Sequence, residues 1–288
     1  MLAAQIAELG SPPRIVEVDD AAGIRIEAVA LNPLDISVGS GVFYGGHPPL
    51  PYVPGCEAVG TLEDGTRVYL FGDGHGVARD GFLAERVSVS DALPLALPEA
   101  ADPAVAAAAG IAGVAAWVPV AWKANVGPGD RLLVLGGTGA VGKIAAQASE
   151  LLGASNVLAV GRAELGRIGD EFGEDGFTVC IDPVWGEPLA DALQYAQRHA
   201  RVVHIGQSAG PTSPLRSADV RGKELVVMGH SNFAMTAEER NRAYLELLDH
   251  VAAGRIALDV QRFPLDRAAE AWELQRSGPG GKVVVTLS

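Results

Sequence analysis

Basic residues are scarce in this chain: 22 Lys and Arg stand against 35 Asp and Glu, a formal charge of −13 at pH 7. So acidic a balance argues against nucleic acid or an anionic membrane as the main partner, because both are polyanions. A single anionic cofactor stays open, since local geometry can outweigh net charge. Cysteine is nearly absent. Cys56 and Cys180 are the only two, which excludes a disulfide framework and a four-cysteine structural zinc site. The expectation is a reducing, cytoplasmic setting. Long apolar runs are missing with one exception: the 19 residues from Ala104 to Trp122 carry no charge, close to the roughly 20 that span a bilayer. They are mostly Ala and Gly, with Pro119 near the end, so the stretch reads as buried helix and no membrane span is expected. The start, Met1 to Glu8, has no basic segment ahead of an apolar one, and no secretory signal is expected there.

What is present divides by texture. A chain of 288 residues suggests two domains at roughly 150 residues each. Residues 1 to about 100 hold short alternating runs such as Ile24-Arg25-Ile26-Glu27-Ala28-Val29-Ala30 among Pro- and Gly-rich loops, a β-rich pattern. Asp102-Pro103 then opens a helix, as N-cap and first helical residue. Beyond it, apolar strands alternate with helices. Arg131 to Leu135, Asn156 to Val160, Phe177 to Ile181, Arg201 to Ile205 and Leu225 to Met228 read as buried strands, with a helix from Lys143 to Leu152. Continuous apolar strands separated by helices predict an α/β fold with a parallel sheet covered on both faces. Thr236-Ala237-Glu238-Glu239 is a capping box for one more helix, and Lys282 to Leu287 one more strand.

Gly136-Gly137-Thr138-Gly139-Ala140-Val141-Gly142 falls between the first parallel strand and its helix. Four glycines in these seven residues match the turn that cradles a dinucleotide. The strand aims the turn, missing side chains let backbone approach a diphosphate, and the helix start supplies unpaired N–H groups. About 20 residues on, a carboxylate would accept from a free ribose 2′-hydroxyl. Here the second strand ends in Gly161-Arg162, with Arg167 nearby and Glu164 two residues late. A guanidinium suits a 2′-phosphate where a carboxylate would repel it, so the expected cofactor is NADPH.

These residues, taken with Ala30-Leu31-Asn32-Pro33-Leu34-Asp35, Pro54-Gly55-Cys56-Glu57, Gly81-Phe82-Leu83-Ala84-Glu85, Ile205-Gly206-Gln207-Ser208 and Gly281-Lys282-Val283-Val284, resemble the medium-chain dehydrogenase/reductase superfamily. Within it the likeness is to the zinc-free quinone oxidoreductase (zeta-crystallin-like) branch, and it covers nearly the whole chain. The resemblance implies a GroES-like catalytic domain, 1–102 with 256–288, and a Rossmann doubly wound parallel sheet, 103–255. It implies further cofactor contacts from Gly206, Gln207 and Ser208 and from the loop carrying His230, Asn232 and Phe233. It also implies a homodimer through the edge strand at 225–228. Three departures stand out. Asn32 to Asp35 and Gly55-Cys56-Glu57 replace the Cys and His positions of zinc members, so no metal is expected. Only nine residues lie between Arg167 and Phe177, so the sheet is expected to lack one edge strand. The first domain is contracted around Thr61 to Arg67.

Without a Lewis-acid metal, the acceptor must be electron-poor or activated by hydrogen bonds, which points to a small electrophilic molecule, a quinone or an α,β-unsaturated carbonyl. Asn32, Tyr44 and Tyr52 are the candidate catalytic donors, Tyr44 because relatives often carry an aromatic residue there. Asp35 and Glu57 read as structural carboxylates, and His204 as a satisfied core residue. Two alternatives remain: an enoyl-thioester reductase of a biosynthetic pathway, and an NADPH-binding sensor or structural protein with no chemistry of its own.

Overall fold

The computed structural model describes residues 1–90, 93–98 and 100–287. The chain divides into two compact units, Met1–Ile111 with Leu258–Ser288, and Ala112–Ala257.

The first unit is built on a seven-stranded sheet. Its path runs Val260–Pro264, Lys282–Thr286, Ile24–Leu31, Glu57–Thr61, Arg67–Phe71 and Leu95–Ala96, and Arg86–Val87 also pairs with Ile24–Leu31. The C-terminal strand lies inside this sheet, antiparallel to Ile24–Leu31 with Val283 opposite Leu31. That pairing joins the two chain ends in one unit. Alternate residues of these strands, Ile24, Ile26, Val283 and Val285 among them, enter a core with Phe82, Leu83 and Trp272. The helix Pro103–Ala108 belongs to this unit too, packed on Ile24–Leu31 and Glu57–Thr61, whereas the boundaries implied by the family resemblance place it in the second domain. Asp102 does cap it, accepting from the Val105 N–H at 3.0 Å.

The second unit holds five parallel strands in the order Val226–Gly229, Ala196–His204, Phe177–Asp182, Arg131–Leu135, Asn156–Val160. Leu132, Leu133, Val134 and Leu135 are all fully buried, as expected of a strand covered on both faces. The sheet ends at Asn156–Val160 because only a short 3₁₀ turn, Arg162–Glu164, and the helix Arg167–Phe172 separate that strand from Phe177. No strand among the described residues extends it, the shortening that the spacing implies.

Two elements differ from the sequence reading. Strand Ala196–His204 starts five residues earlier than its apolar run, through a polar stretch with a bulge and His199 at φ 64°. The uncharged stretch after Ala104 is not one helix. It is Pro103–Ala108, Ile111–Trp117 and a π-helical turn Val118–Lys123, interrupted where Gly110 and Pro119 fall. No helix among the described residues is long and apolar enough to cross a membrane.

Candidate active site

Strand Arg131–Leu135 delivers the chain into the glycine turn, and helix Ala140–Leu151 leaves it. Gly136 turns the backbone at φ 66°, a conformation that costs glycine nothing. A Cβ on Gly137 would sit 2.7 Å from the Ala159 backbone, and one on Gly142 would collide with the Gly136 carbonyl. These two glycines permit close packing of turn, helix and strands. Gly139 differs: its nearest neighbour to a Cβ would be the Gly136 oxygen at 3.5 Å. Its bare face is therefore not required by the fold. Gly139 is the helix N-cap and has no side chain to bond the first helical N–H groups, which the helix itself cannot satisfy. The turn thus presents Thr138, Ala140 and Val141 beside an exposed helix start with a positive dipole end.

The end of the second strand lies against this turn. A Cβ on Gly161 would meet the Thr138 methyl at 2.8 Å. Glu164 folds back and accepts from the Gly161 N–H at 3.0 Å and from Arg167 Nη1 at 2.9 Å. Those bonds hold its carboxyl below the usual range. Arg167 is therefore spoken for by Glu164, whereas the exposed Arg162 has no ion-pair partner among the described residues.

Three further loops end the remaining strands of this unit. Asp182, fully buried, accepts from the N–H groups of Val184 and Trp185 at 2.9 and 2.8 Å. Its other oxygen faces His204 Nδ1 at 3.2 Å, so His204 is satisfied as expected, though half-buried rather than in the core. Gly206, Gln207 and Ser208 follow, with Ser208 Oγ 3.4 Å from the Pro183 carbonyl. After Val226–Gly229, His230 Nε2 pairs with Asn232 Oδ1 at 3.0 Å, both side chains buried, while Phe233 is half exposed. Burial pushes the His230 pKa down to about 4, so the ring is neutral near pH 7. Lys123 Nζ donates to the Gly229 carbonyl at 2.8 Å and anchors the start of this loop, a contact that no sequence motif signals.

In the first unit the three candidate donors are not equivalent. Asn32 is buried at the N-cap of helix Pro33–Gly39. Its amide N–H groups go to Glu57 Oε1 at 2.8 Å and the Ala30 carbonyl at 3.1 Å. Its oxygen accepts from Lys282 Nζ at 2.6 Å. With both donors engaged, Asn32 serves the framework and not an acceptor, a correction to the sequence reading. Tyr52 is corrected as well: it is 1% exposed, within the core. Its hydroxyl has no partner among the described residues, and burial pushes its pKa up. Tyr44, by contrast, is 87% exposed, its ring tilted against that of Phe43 with centroids 4.5 Å apart.

Glu57 is the centre of the buried network. Its second oxygen accepts from Tyr69 at 2.7 Å and from the Ile111 N–H at 2.6 Å, and Lys282 Nζ lies 3.5 Å from the first. Gly110 has room for no side chain beside them. Asp35 accepts from the N–H groups of Asn32 and Cys56 at 2.8 and 2.9 Å. Burial, with Asp35 beside it, pushes the Cys56 thiol well up. This donor set does not fit zinc: the one thiol is held protonated, both carboxylates are spent on hydrogen bonds, and an ammonium sits among them. Among the described residues no group of three His, Cys, Asp or Glu side chains could hold a metal ion.

Comparison with known proteins gives consistent matches. The alcohol dehydrogenase GroES-like domain family matches residues 18–99, and the zinc-binding dehydrogenase family matches residues 152–285. The quinone oxidoreductase of Lama guanicoe is 28% identical over all of this chain and 98% of its own length, and that of Homo sapiens 26% over the same shares. A phenolphthiocerol/phthiocerol polyketide synthase of Mycobacterium tuberculosis is 26% identical over 93% of this chain but only 14% of its own length. The solved quinone oxidoreductase of Thermus thermophilus, studied also as its complex with NADPH, is 26% identical with a TM-score of 0.80 over both full chains. An NAD-dependent alcohol dehydrogenase superposes with a TM-score of 0.86 at 22% identity over both full chains, a likeness of fold alone.

Proposed function

Because this chain belongs to the medium-chain dehydrogenase/reductase superfamily, in its zinc-free quinone oxidoreductase branch, we propose that it is an NADPH-dependent reductase of quinones or α,β-unsaturated carbonyls. The observation that carries the reading is the bare turn at 136–142, where Gly139 lacks a side chain that the fold itself would tolerate. Backbone N–H groups at this turn bind the diphosphate. Arg162, exposed and without an ion-pair partner among the described residues, binds the 2′-phosphate, with Arg167 behind it on Glu164. Gly206, Gln207, Ser208, His230, Asn232 and Phe233 line the nicotinamide half. NADPH, when bound, supplies the hydride; the protein's part is to bind, orient and exclude water. Tyr44 offers the one exposed hydroxyl of the three candidates, and solvent completes protonation of the reduced acceptor.

A second reading, an enoyl-thioester reductase, is favoured by the match within a polyketide synthase. The test is NADPH oxidation against a panel of quinones, enones and enoyl thioesters. Turnover with quinones or enones and not thioesters supports the first reading; the reverse supports the second. Tight NADPH binding with no turnover on any of them makes the protein a binding module. Arg162→Ala tests cofactor choice: NADPH affinity falls about ten-fold or more with NADH affinity unchanged, and equal NADPH affinity refutes the 2′-phosphate assignment. The edge strand Val226–Gly229 exposes Val226 and Val227 at 46% and 41%. An uncovered parallel edge of this kind is a pairing surface, and a second copy of the chain is its proposed partner. Two buried thiols, Cys56 and Cys180, suit a reducing cytoplasm.

A further inference from the structure

Trp185 has a backbone that a tryptophan should avoid. Its φ is 60° and ψ −161°, a region occupied almost only by glycine and costly for any side chain with a Cβ. Such a conformation persists only when its surroundings impose it, and here they do. Asp182 Oδ1 holds the N–H groups of Val184 and Trp185, while Asp182 Oδ2 fixes His204. The His204 ring packs on the Trp185 indole, centroids 4.2 Å apart. The Ala209 N–H closes on the Val184 carbonyl at 2.9 Å, and Ser213 Oγ on the Gly186 carbonyl at 2.7 Å.

The place of this strained residue is informative. From Arg131–Leu135 the chain crosses to Asn156–Val160 on one side, then returns to Phe177–Asp182 on the other. The order reverses between Leu135 and Asp182, and in open parallel sheets ligands bind in the crevice at that reversal. The glycine turn forms one bank. The loop 183–186 forms the other, close enough that a Cβ on Gly136 would lie 3.1 Å from Val184 and 3.2 Å from Pro183. The sequence gives no hint of this, since neither Trp185 nor Asp182 belongs to the glycine motif.

We propose that the Trp185 indole, clamped by Asp182 and His204, walls the crevice opposite the glycine turn and touches the bound dinucleotide. The inference rests on the dinucleotide reading above and adds a contact residue to it, with Asp182 and His204 as positioning residues. Calorimetric titration with NADPH is run on the wild type, Trp185→Phe and Trp185→Gly, alongside the quenching of tryptophan emission by NADPH. Trp185→Gly, at home in this backbone region, is expected to fold and to bind NADPH about ten-fold more weakly. Trp185→Phe keeps most of the affinity and loses a measurable share of the quenching amplitude. Should Trp185→Gly fail to fold, the Phe variant's quenching alone decides. Wild-type affinity in both variants, or an undiminished amplitude in Trp185→Phe, overturns the assignment while leaving the dinucleotide reading intact. A wild-type protein that binds neither NADPH nor NADH overturns both.

Discussion

Gly139 and Gly142 allow binding to be separated from folding by the same one-methyl change. At Gly139 the backbone is extended, φ −84° and ψ 165°, and a new Cβ meets nothing nearer than 3.5 Å. Ala loses a favourable N-cap glycine, a cost of about 0.5–1 kcal/mol. It also reduces the freedom of the unfolded chain, a gain of about 0.4–1 kcal/mol. The two nearly cancel, so the melting temperature should move by only about 2 °C. At Gly142 the same methyl strikes the Gly136 carbonyl and comes within 2.8 Å of the Gly137 Cα, both backbone. Neither can swing aside, and overpacking of this kind costs about 1–3 kcal/mol. Binding should rank the variants differently. On the proposed reading, a methyl at Gly139 would stand where the backbone approaches the diphosphate, and pushing the anion away would lose at least one charge-assisted hydrogen bond, about 1.5–3 kcal/mol. Gly139→Ala should therefore melt like wild type yet bind NADPH about 10- to 100-fold more weakly. Thermal melting without ligand and calorimetric titration with it read the two effects independently. A folded Gly139→Ala with wild-type NADPH affinity refutes the diphosphate site.

Other outcomes follow from the buried groups and the sheet edge. Lys282→Met leaves the Glu57 carboxylate buried without its cation and should cost about 3–5 kcal/mol in urea unfolding; an unchanged midpoint refutes the pairing. The double change Lys282→Met with Glu57→Gln should recover part of that loss, since no buried charge is then left alone. His230, neutral in the fold with its pKa lowered to about 4, stabilises fully above its unfolded value near 6.5. That contribution is lost as pH falls from about 6.5 through 4, because only the unfolded chain takes up the proton over that window. Between pH 7 and 5 the loss is about 2 kcal/mol, and His230→Gln should flatten that limb; an identical pH profile in the variant shows that another group is responsible. Val227→Lys should turn a dimer in light scattering into a monomer if the Val226–Gly229 edge pairs two copies, and a persistent dimer refutes that interface.

The sequence is most readable where local chemistry decides structure. Strands Arg131–Leu135 and Asn156–Val160 fall where the apolar runs lie, Asp102 and Thr236 cap their helices, and the glycine turn stands where strand meets helix. Strand Ala196–His204 is half hidden because Gln197, Arg198 and His199, which follow the buried Ala196, are polar and not buried, held by backbone bonds such as that from the His199 N–H to the Lys223 carbonyl. The Asn32–Glu57–Lys282 network is illegible in the letters, because the Lys282 bonds span 250 and 225 residues and depend on the register of the C-terminal strand. Its one local trace is a lone lysine entering the apolar run Val283-Val284-Val285. Nothing in the residues around Trp185 signals its positive φ.

The candidate donors that failed bear on the proposed chemistry. Asn32 offers the best side chain for polarising a carbonyl, yet Glu57 and Ala30 take both of its N–H groups. Freeing one would leave a buried carboxylate oxygen short of a partner, which costs more than a surface bond regains. The Tyr52 hydroxyl lies under the core, and burial raises its pKa, so it holds its proton tightly. Of the three, Tyr44 alone presents its hydroxyl to solvent, where water competes for every bond it makes. Hydride transfer without a strong donor or a Lewis acid at the oxygen requires an acceptor that stabilises the incoming charge within itself. A quinone does so by becoming aromatic and an enone by delocalising charge to oxygen, whereas an isolated ketone has neither route. On the proposed reading, the engagement of both Asn32 N–H groups favours conjugated acceptors over simple carbonyls.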